Sequence, residues 1–447
     1  MTSPPTRSRP SGTRERAATI GLISTLVLIV ASMAIPAVTG WDVRAGHFPP
    51  LHSIWMPRIG PGTPAAILLG VLMCLWAPRA ATWPWRRLLA AVYLAGVAWM
   101  LALATVDGLD GVGGILDAKT EYLRTARSVT DVGELLRTYV AHIPLDSDDN
   151  WPVHLAGHPP GAVLFFIGLV RVGLGSALAA GVVVTLIAAT TAIAVMLVAR
   201  RLGAERFARA AAPFLAIGPA AIWMCVSADA MFAATAAWAT VLLSIAATSR
   251  RGVQAVAAAV ASGLLYGACV MFSYGLPLLG VLAVTVLALA RSWRPMAWAA
   301  LGAAGVVLLF AALGFAWWEA FPVLRDRYWA GIAQHRPGLY WTWADLAAVA
   351  VTTGPMAGAA LAVAFSDARR ANSARRTTAW LALAGLGMCV AAAISQMSRA
   401  EVERIWLPFV PWMLLAMALL PARWRRAGLV VQVVFALIVQ HLLFTRW

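Results

Sequence analysis

An all-α, polytopic integral membrane protein is the fold class this sequence predicts, and three observations carry it. Hydrophobic residues fill 61% of 447 positions and charged residues only 12%, with a mean hydropathy of +0.77, whereas soluble domains carry roughly 25% charge. Apolar runs long enough to cross a hydrocarbon core of about 30 Å recur along the chain. Basic residues gather in alternate connections between those runs, as the positive-inside rule requires. The net charge of +16 does not indicate nucleic acid, because the arginines form short clusters between apolar runs rather than a patch or stripe. Cys74, Cys225, Cys269 and Cys389 each stand alone in or beside an apolar segment and read as packing residues.

Residues 1–17 are polar, Pro-rich and basic, and are expected to be a disordered cytoplasmic tail ahead of a single transmembrane domain over 18–447. The first apolar run, 18–38, is long enough to span and carries no obvious cleavage site, so it reads as an anchor. Further runs follow at 62–78, 88–106, 176–199, 207–225, 229–247, 254–273, 275–291, 296–317, 343–365, 378–395, 405–421 and 427–443. The expectation is therefore about thirteen transmembrane helices, plus juxtamembrane helices in the first large outer loop.

Loop charges test that count. With the N-terminus inside, the cytoplasmic connections and tail hold 22 of the 35 basic residues but only Glu15, Glu205 and Asp367 among the acids. The pattern holds only if 161–174 (GAVLFFIGLVRVGL) does not cross; at 1.5 Å per residue it is too short to do so. The loops 107–160, 319–342 and 396–404 then share the extracytoplasmic side, and the C-terminus lies there too. Sixteen of nineteen acids lie on or near that face.

The 107–160 loop and its immediate boundary hold nine of those acids. Asp146, Asp148 and Asp149 read as a solvated turn. In GILDAKTEYLRTARSV, a spacing of four places Asp117 and Glu121 on one helix face, beside Tyr122 and Arg124. Paired carboxylates suit general-base work on a hydroxyl, and a solvated amphipathic helix is the competing reading. The loop ends in VHLAGHPPG, where Pro159 and Pro160 open the next helix and His154 and His158 stand four apart. HxxxH without a third ligand is a weak zinc signal, and no metal or cofactor is assigned.

A carboxylate followed by tyrosine in the first outer loop, then a Pro pair opening a short apolar helix, resembles the GT-C glycosyltransferases that use polyprenyl-phosphate sugars. Protein O-mannosyltransferases and aminoarabinose transferases are the members most similar in pattern. ARRLGAERFARAAAPFLAIGPAAIWMCVSADAMF, 199–232, is similar to the family's basic turn, rising helix and acid at the outer end of the next, here Asp229. EVERIWLPFVPWMLL, 401–415, is similar to its late acidic-Arg-aromatic stretch. The chain departs in having Ala118 after Asp117, and His158 where the family has Lys before the Pro pair.

The resemblance implies transfer of a sugar from a polyprenyl-phosphate donor to a glycan, lipid or protein acceptor at the outer face of the cell membrane, with no nucleic acid involved. Asp117 or Glu121 would be the base. His158 and Arg404 would bind the donor phosphate, with Lys119 and Arg124 in reserve. Tyr122, His154, Asp229, Arg336, Glu401 and Glu403 would contact substrate. A transporter or flippase of a lipid-linked sugar, and a structural or assembly protein, are the competing classes. Transporters place polar groups in broken helices at mid-membrane, whereas the acids here crowd one face.

Overall fold

The computed structural model describes residues 11–369 and 373–445. Among them the only strands are the two-residue segments Ile54–Trp55 and Leu443–Phe444, paired antiparallel; the rest of the regular structure is helical. The protein is an all-α, multi-pass membrane protein.

Nine described helices are long and apolar enough to cross a membrane: Gly12–Thr39, Thr63–Ala80, Trp85–Asp107, Ala177–Arg201, Ala228–Thr248, Gly252–Phe272, Pro295–Ala312, Ser373–Ser395 and Ala422–Leu442. They coincide with nine of the thirteen runs read from the sequence. The other four runs form shorter or broken helices, each with a local cause. Glu205–Ala216 stops where Ile217 turns extended ahead of Gly218 and Pro219. Leu279–Ala290 follows a short 3-10 turn at Leu276–Leu278 that contains Pro277. Val410–Leu414 tightens into a 3-10 turn, Leu415–Leu419. Gly338–Thr353 and Met356–Ala368 are bent by 105° at Gly354, whose φ of +78° suits glycine, and Pro355.

One expectation is corrected. The first helix starts by Ser11 rather than near residue 18. Arg14 is tied to Asp367 and Glu15 faces Arg423, so this stretch docks on the bundle instead of trailing from it. Residues 1–10, with Arg7 and Arg9, and Arg370 lie outside the described residues. The 319–342 segment is mostly helix, Trp317–Ala330 and then a 3-10 turn at Ile332–His335. Gly161–Arg171 is a short helix of 11 residues, as its length predicts.

Ala228–Thr248 is the centre of the bundle, with 78% of its apolar window buried against 11% for Pro295–Ala312 at the rim. Small residues allow the closest approaches. A Cβ on Gly263 would lie 2.1 Å from the Ala299 carbonyl, so Gly252–Phe272 and Pro295–Ala312 touch backbone to backbone. Gly21 meets Gly358 in the same way, seating the first helix on Met356–Ala368.

The helix ends sort by charge. At one end Arg14 and Arg375 share Asp367, Arg375 lies over Phe207, and Arg209 donates to the carbonyls of Ala81 and Trp83. At the other end the three polar loops converge. Arg327 donates to the carbonyls of Ile143 and Trp151, and Arg336 donates to the Arg399 carbonyl. The Tyr328 hydroxyl accepts the Arg399 amide.

Candidate functional site

Where the loops converge, a buried polar network joins residues that are distant in sequence. Glu121 immediately precedes the Tyr122–Ser128 helix, which packs on Gly161–Arg171 through Tyr122 stacked on Phe166 at 5.6 Å. His154 lies in the single turn Val153–Ala156. Its Nδ1 is 2.5 Å from Glu121 Oε1, and its Nε2 is 2.9 Å from Arg404 Nη2. An arginine can only donate, so His154 Nε2 accepts and Nδ1–H donates to the carboxylate. The network thereby fixes a neutral imidazole in one tautomer.

Arg404 is the hub. Its Nη1 donates to Asp229 Oδ2 at 2.9 Å, and its Nη2 also reaches Glu401 Oε2 at 3.2 Å. Glu401 in turn accepts from Arg336 Nη2 at 3.3 Å. Burial works to raise the Glu401 pKa, but Arg404 and Arg336 outweigh it and hold the carboxyl at about 2. Burial likewise opposes ionisation of Glu121; the hydrogen bond from His154 and the charge of Arg404 overcome it and keep that pKa below the ordinary value. Both carboxylates are charged at neutral pH.

His158 is placed differently from a phosphate-binding cation. Burial pulls its pKa down to about 4, so the ring is neutral. Its Nδ1–H donates to the His154 carbonyl at 2.8 Å, leaving Nε2 as an acceptor. The ring packs between Tyr122 and Phe232.

Asp117 and Glu121 do not share a helix face. A 3-10 turn, Gly114–Asp117, ends at Asp117 and the chain is extended at Ala118 before the next helix. Asp117 is turned outward by Arg127 at 2.7 Å and Arg124 at 3.7 Å, whereas Glu121 is turned inward by His154. The Asp117 side chain is 35% exposed and that of Glu121 5%. Lys119 is exposed, and Arg124 is spent on Asp117. Glu403 is fully buried, and neither of its carboxylate oxygens has a hydrogen-bond partner.

The fold thus brings Glu121, Tyr122, His154, His158, Asp229, Arg336, Glu401 and Arg404 to one place, and leaves Asp117, Lys119 and Arg124 on the surface. Three further residues support the site, of which the sequence pointed only to Arg327, in the aromatic and arginine-rich 319–342 loop. The Tyr139 hydroxyl donates to the carbonyls of Leu155 and His158, pinning the HLAGH turn. Arg327 clamps the same loop from the second one. Asp345, buried inside an apolar helix, is the third, and an acid within such a run is itself a signal. Among the described residues no group of three or more His, Cys, Asp and Glu is arranged to hold a metal ion.

Comparison with family models, with curated proteins and with solved structures found no match to this chain.

Proposed function

We propose that the protein is a glycosyltransferase that takes a sugar from a polyprenyl-phosphate donor and transfers it to a cell-envelope acceptor. In this reading the N-terminus is cytoplasmic, the loop end is extracytoplasmic, and the four short or bent segments complete a count of about thirteen passes. The observation that carries it is the Glu121–His154–Arg404–Asp229 network at the end of the bundle opposite the arginine-rich ends. Glu121 is an ionised carboxylate held in one orientation by a neutral imidazole, which suits a base that takes the proton of an acceptor hydroxyl. As that oxygen bonds to the anomeric carbon, the carbon–oxygen bond to the phosphate breaks and polyprenyl phosphate leaves with the electron pair. Arg404 and Arg336 supply positive charge near the developing phosphate. His158 serves as a neutral hydrogen-bond acceptor beside Tyr122.

The test is transfer from a polyprenyl-phosphate sugar in membranes carrying variants at matched protein level. E121Q is expected to lose about 10²–10⁴-fold in rate, the usual worth of a general base, while D117N keeps its rate within about threefold. Equal loss in both, or loss in neither, rejects Glu121 as the base. Comparing envelope glycans with and without the protein would name donor and acceptor together.

One observation favours transport of a lipid-linked sugar as a second reading: the helix pair bent by 105° carries a buried acid, Asp345, as discontinuous transporter helices do. Donor-dependent transfer by the purified chain separates the two.

A further inference from the structure

At the arginine-rich end of the bundle, cations outnumber acids at one place. Asp367, near the end of Met356–Ala368, accepts from Arg14 Nε on one oxygen at 3.4 Å and from Arg375 Nη1 on the other. Arg375 lies over the Phe207 ring at 5.4 Å from its centroid, and Arg206 lies over the same ring at 4.6 Å. Arg423 reaches Glu15 at 3.6 Å, which brings the start of Ala422–Leu442, with Arg425, against the first helix. The charges of Arg14 and Arg206 act on Arg375, and that of Arg375 acts on Arg425. Five guanidinium groups thus crowd around two carboxylates, Glu15 and Asp367. Even with both acids ionised, three positive charges are left over. Glu205, the third acid of this end, is spent on Arg200 and Arg209. Residues 1–10 and 370–372 contain no acid.

The backbone adds to the imbalance. Arg206, Arg375 and Arg425 are the second, third and fourth residues of their helices, where the helix dipole is positive and disfavours a cation. The positive-inside rule does not ask for this, because Arg250, Arg251, Arg291 and Arg294 meet it from exposed positions. Here Arg14, Arg375 and Arg425 are half-buried and close together, so their repulsion is poorly screened. Donors also remain. Arg14 uses only Nε, on Asp367, and Arg425 only Nη1, on the carbonyls of Ala418 and Leu420.

An anion with several oxygens answers both the charge and the donors, and guanidinium geometry suits phosphate. Arg375 and Arg425 stand in the first turns of two apolar spanning helices, which is where a bilayer places its headgroups. Basic pockets between helix ends are a recurrent setting for acidic headgroups. We propose that this cluster binds the phosphate of an anionic phospholipid from the adjoining leaflet, with Arg14 and Arg425 as its direct ligands and Arg206 and Arg375 adding charge. The site stands apart from the transfer reaction and does not depend on it.

The experiment uses the full chain purified in a neutral detergent. Its unfolding temperature is followed as phosphatidylglycerol or phosphatidylcholine is added to the micelles, and separately as sodium phosphate replaces sodium chloride at equal ionic strength. Phosphatidylglycerol should raise the unfolding temperature by several degrees, less at high salt, and phosphatidylcholine should leave it unchanged. R14Q/R425Q, read against its own lipid-free baseline, should need at least about tenfold more phosphatidylglycerol for the same rise. R250Q/R251Q, which removes two arginines outside the cluster, should respond as wild type does. Should R14Q/R425Q not fold, R206Q, at an exposed position, should show the same weakening. Native mass spectrometry should find a single phosphatidylglycerol retained by wild type and lost from R14Q/R425Q. Equal response to the two lipids, or equal loss in the two double variants, overturns the site. A response to inorganic phosphate that phosphatidylglycerol does not exceed overturns the lipid as its occupant.

Discussion

Arg404 shows how much one side chain organises here. It is buried and bonded to Asp229, Glu401 and His154, so R404A leaves charged partners without compensation in a dry site. Removing one partner of a buried ion pair costs about 3–5 kcal/mol, and denaturation in detergent should read a loss of that size. The double variant R404M/D229N should recover part of it, because the stranded acid goes too. His158 gives a pH signature. Its pKa is about 4 in the fold against 6.5 ordinarily, so the unfolded chain binds the extra proton first and stability falls as pH drops from 6.5 toward 4. H158F should lessen that fall between pH 6.5 and 5, a window in which Glu403, its carboxyl pushed up by burial to about 7, acts in the opposite sense in both proteins. Residue chemistry was only partly legible in the sequence. DAKTEY offered two carboxylates at helical spacing; the structure separates them because Asp117 has arginines outside it and Glu121 has a histidine inside.

At the scale of elements, spans are set by composition and interrupted by local backbone chemistry. Nine apolar runs became full-length helices, and the other four ran into prolines, an extended residue or the Gly354 bend. Hydropathy averages over a window and does not register a single residue that turns the chain. Helix pairing is equally local. G263V places a side chain where a Cβ already meets the Ala299 carbonyl at 2.1 Å, so the helix pair must separate. Overpacking of this kind costs about 1–3 kcal/mol, and a lower unfolding temperature with reduced yield in membranes is the expected result. G305V, on the same rim helix with open space beside it, should be tolerated.

The molecule as a whole is polarised. Arginine clusters meet at one end of the bundle and the carboxylate network at the other, with an apolar middle between them. A cysteine placed at Asp148, on the loop side, should react with an impermeant thiol reagent in intact cells, while one placed at Arg79 should react only after permeabilisation. The opposite result would invert the proposed orientation. What the sequence determined by itself was the class: apolar length and the alternation of arginine are one-dimensional properties, so they fix a multi-pass helical protein without reference to contacts. The candidate site was decided by tertiary structure. The bonds that join Glu121, His154, Asp229 and Arg404 to one another span 33 to 250 residues, and only the packing of the loops over the central helix creates the dry environment in which their charges must pair.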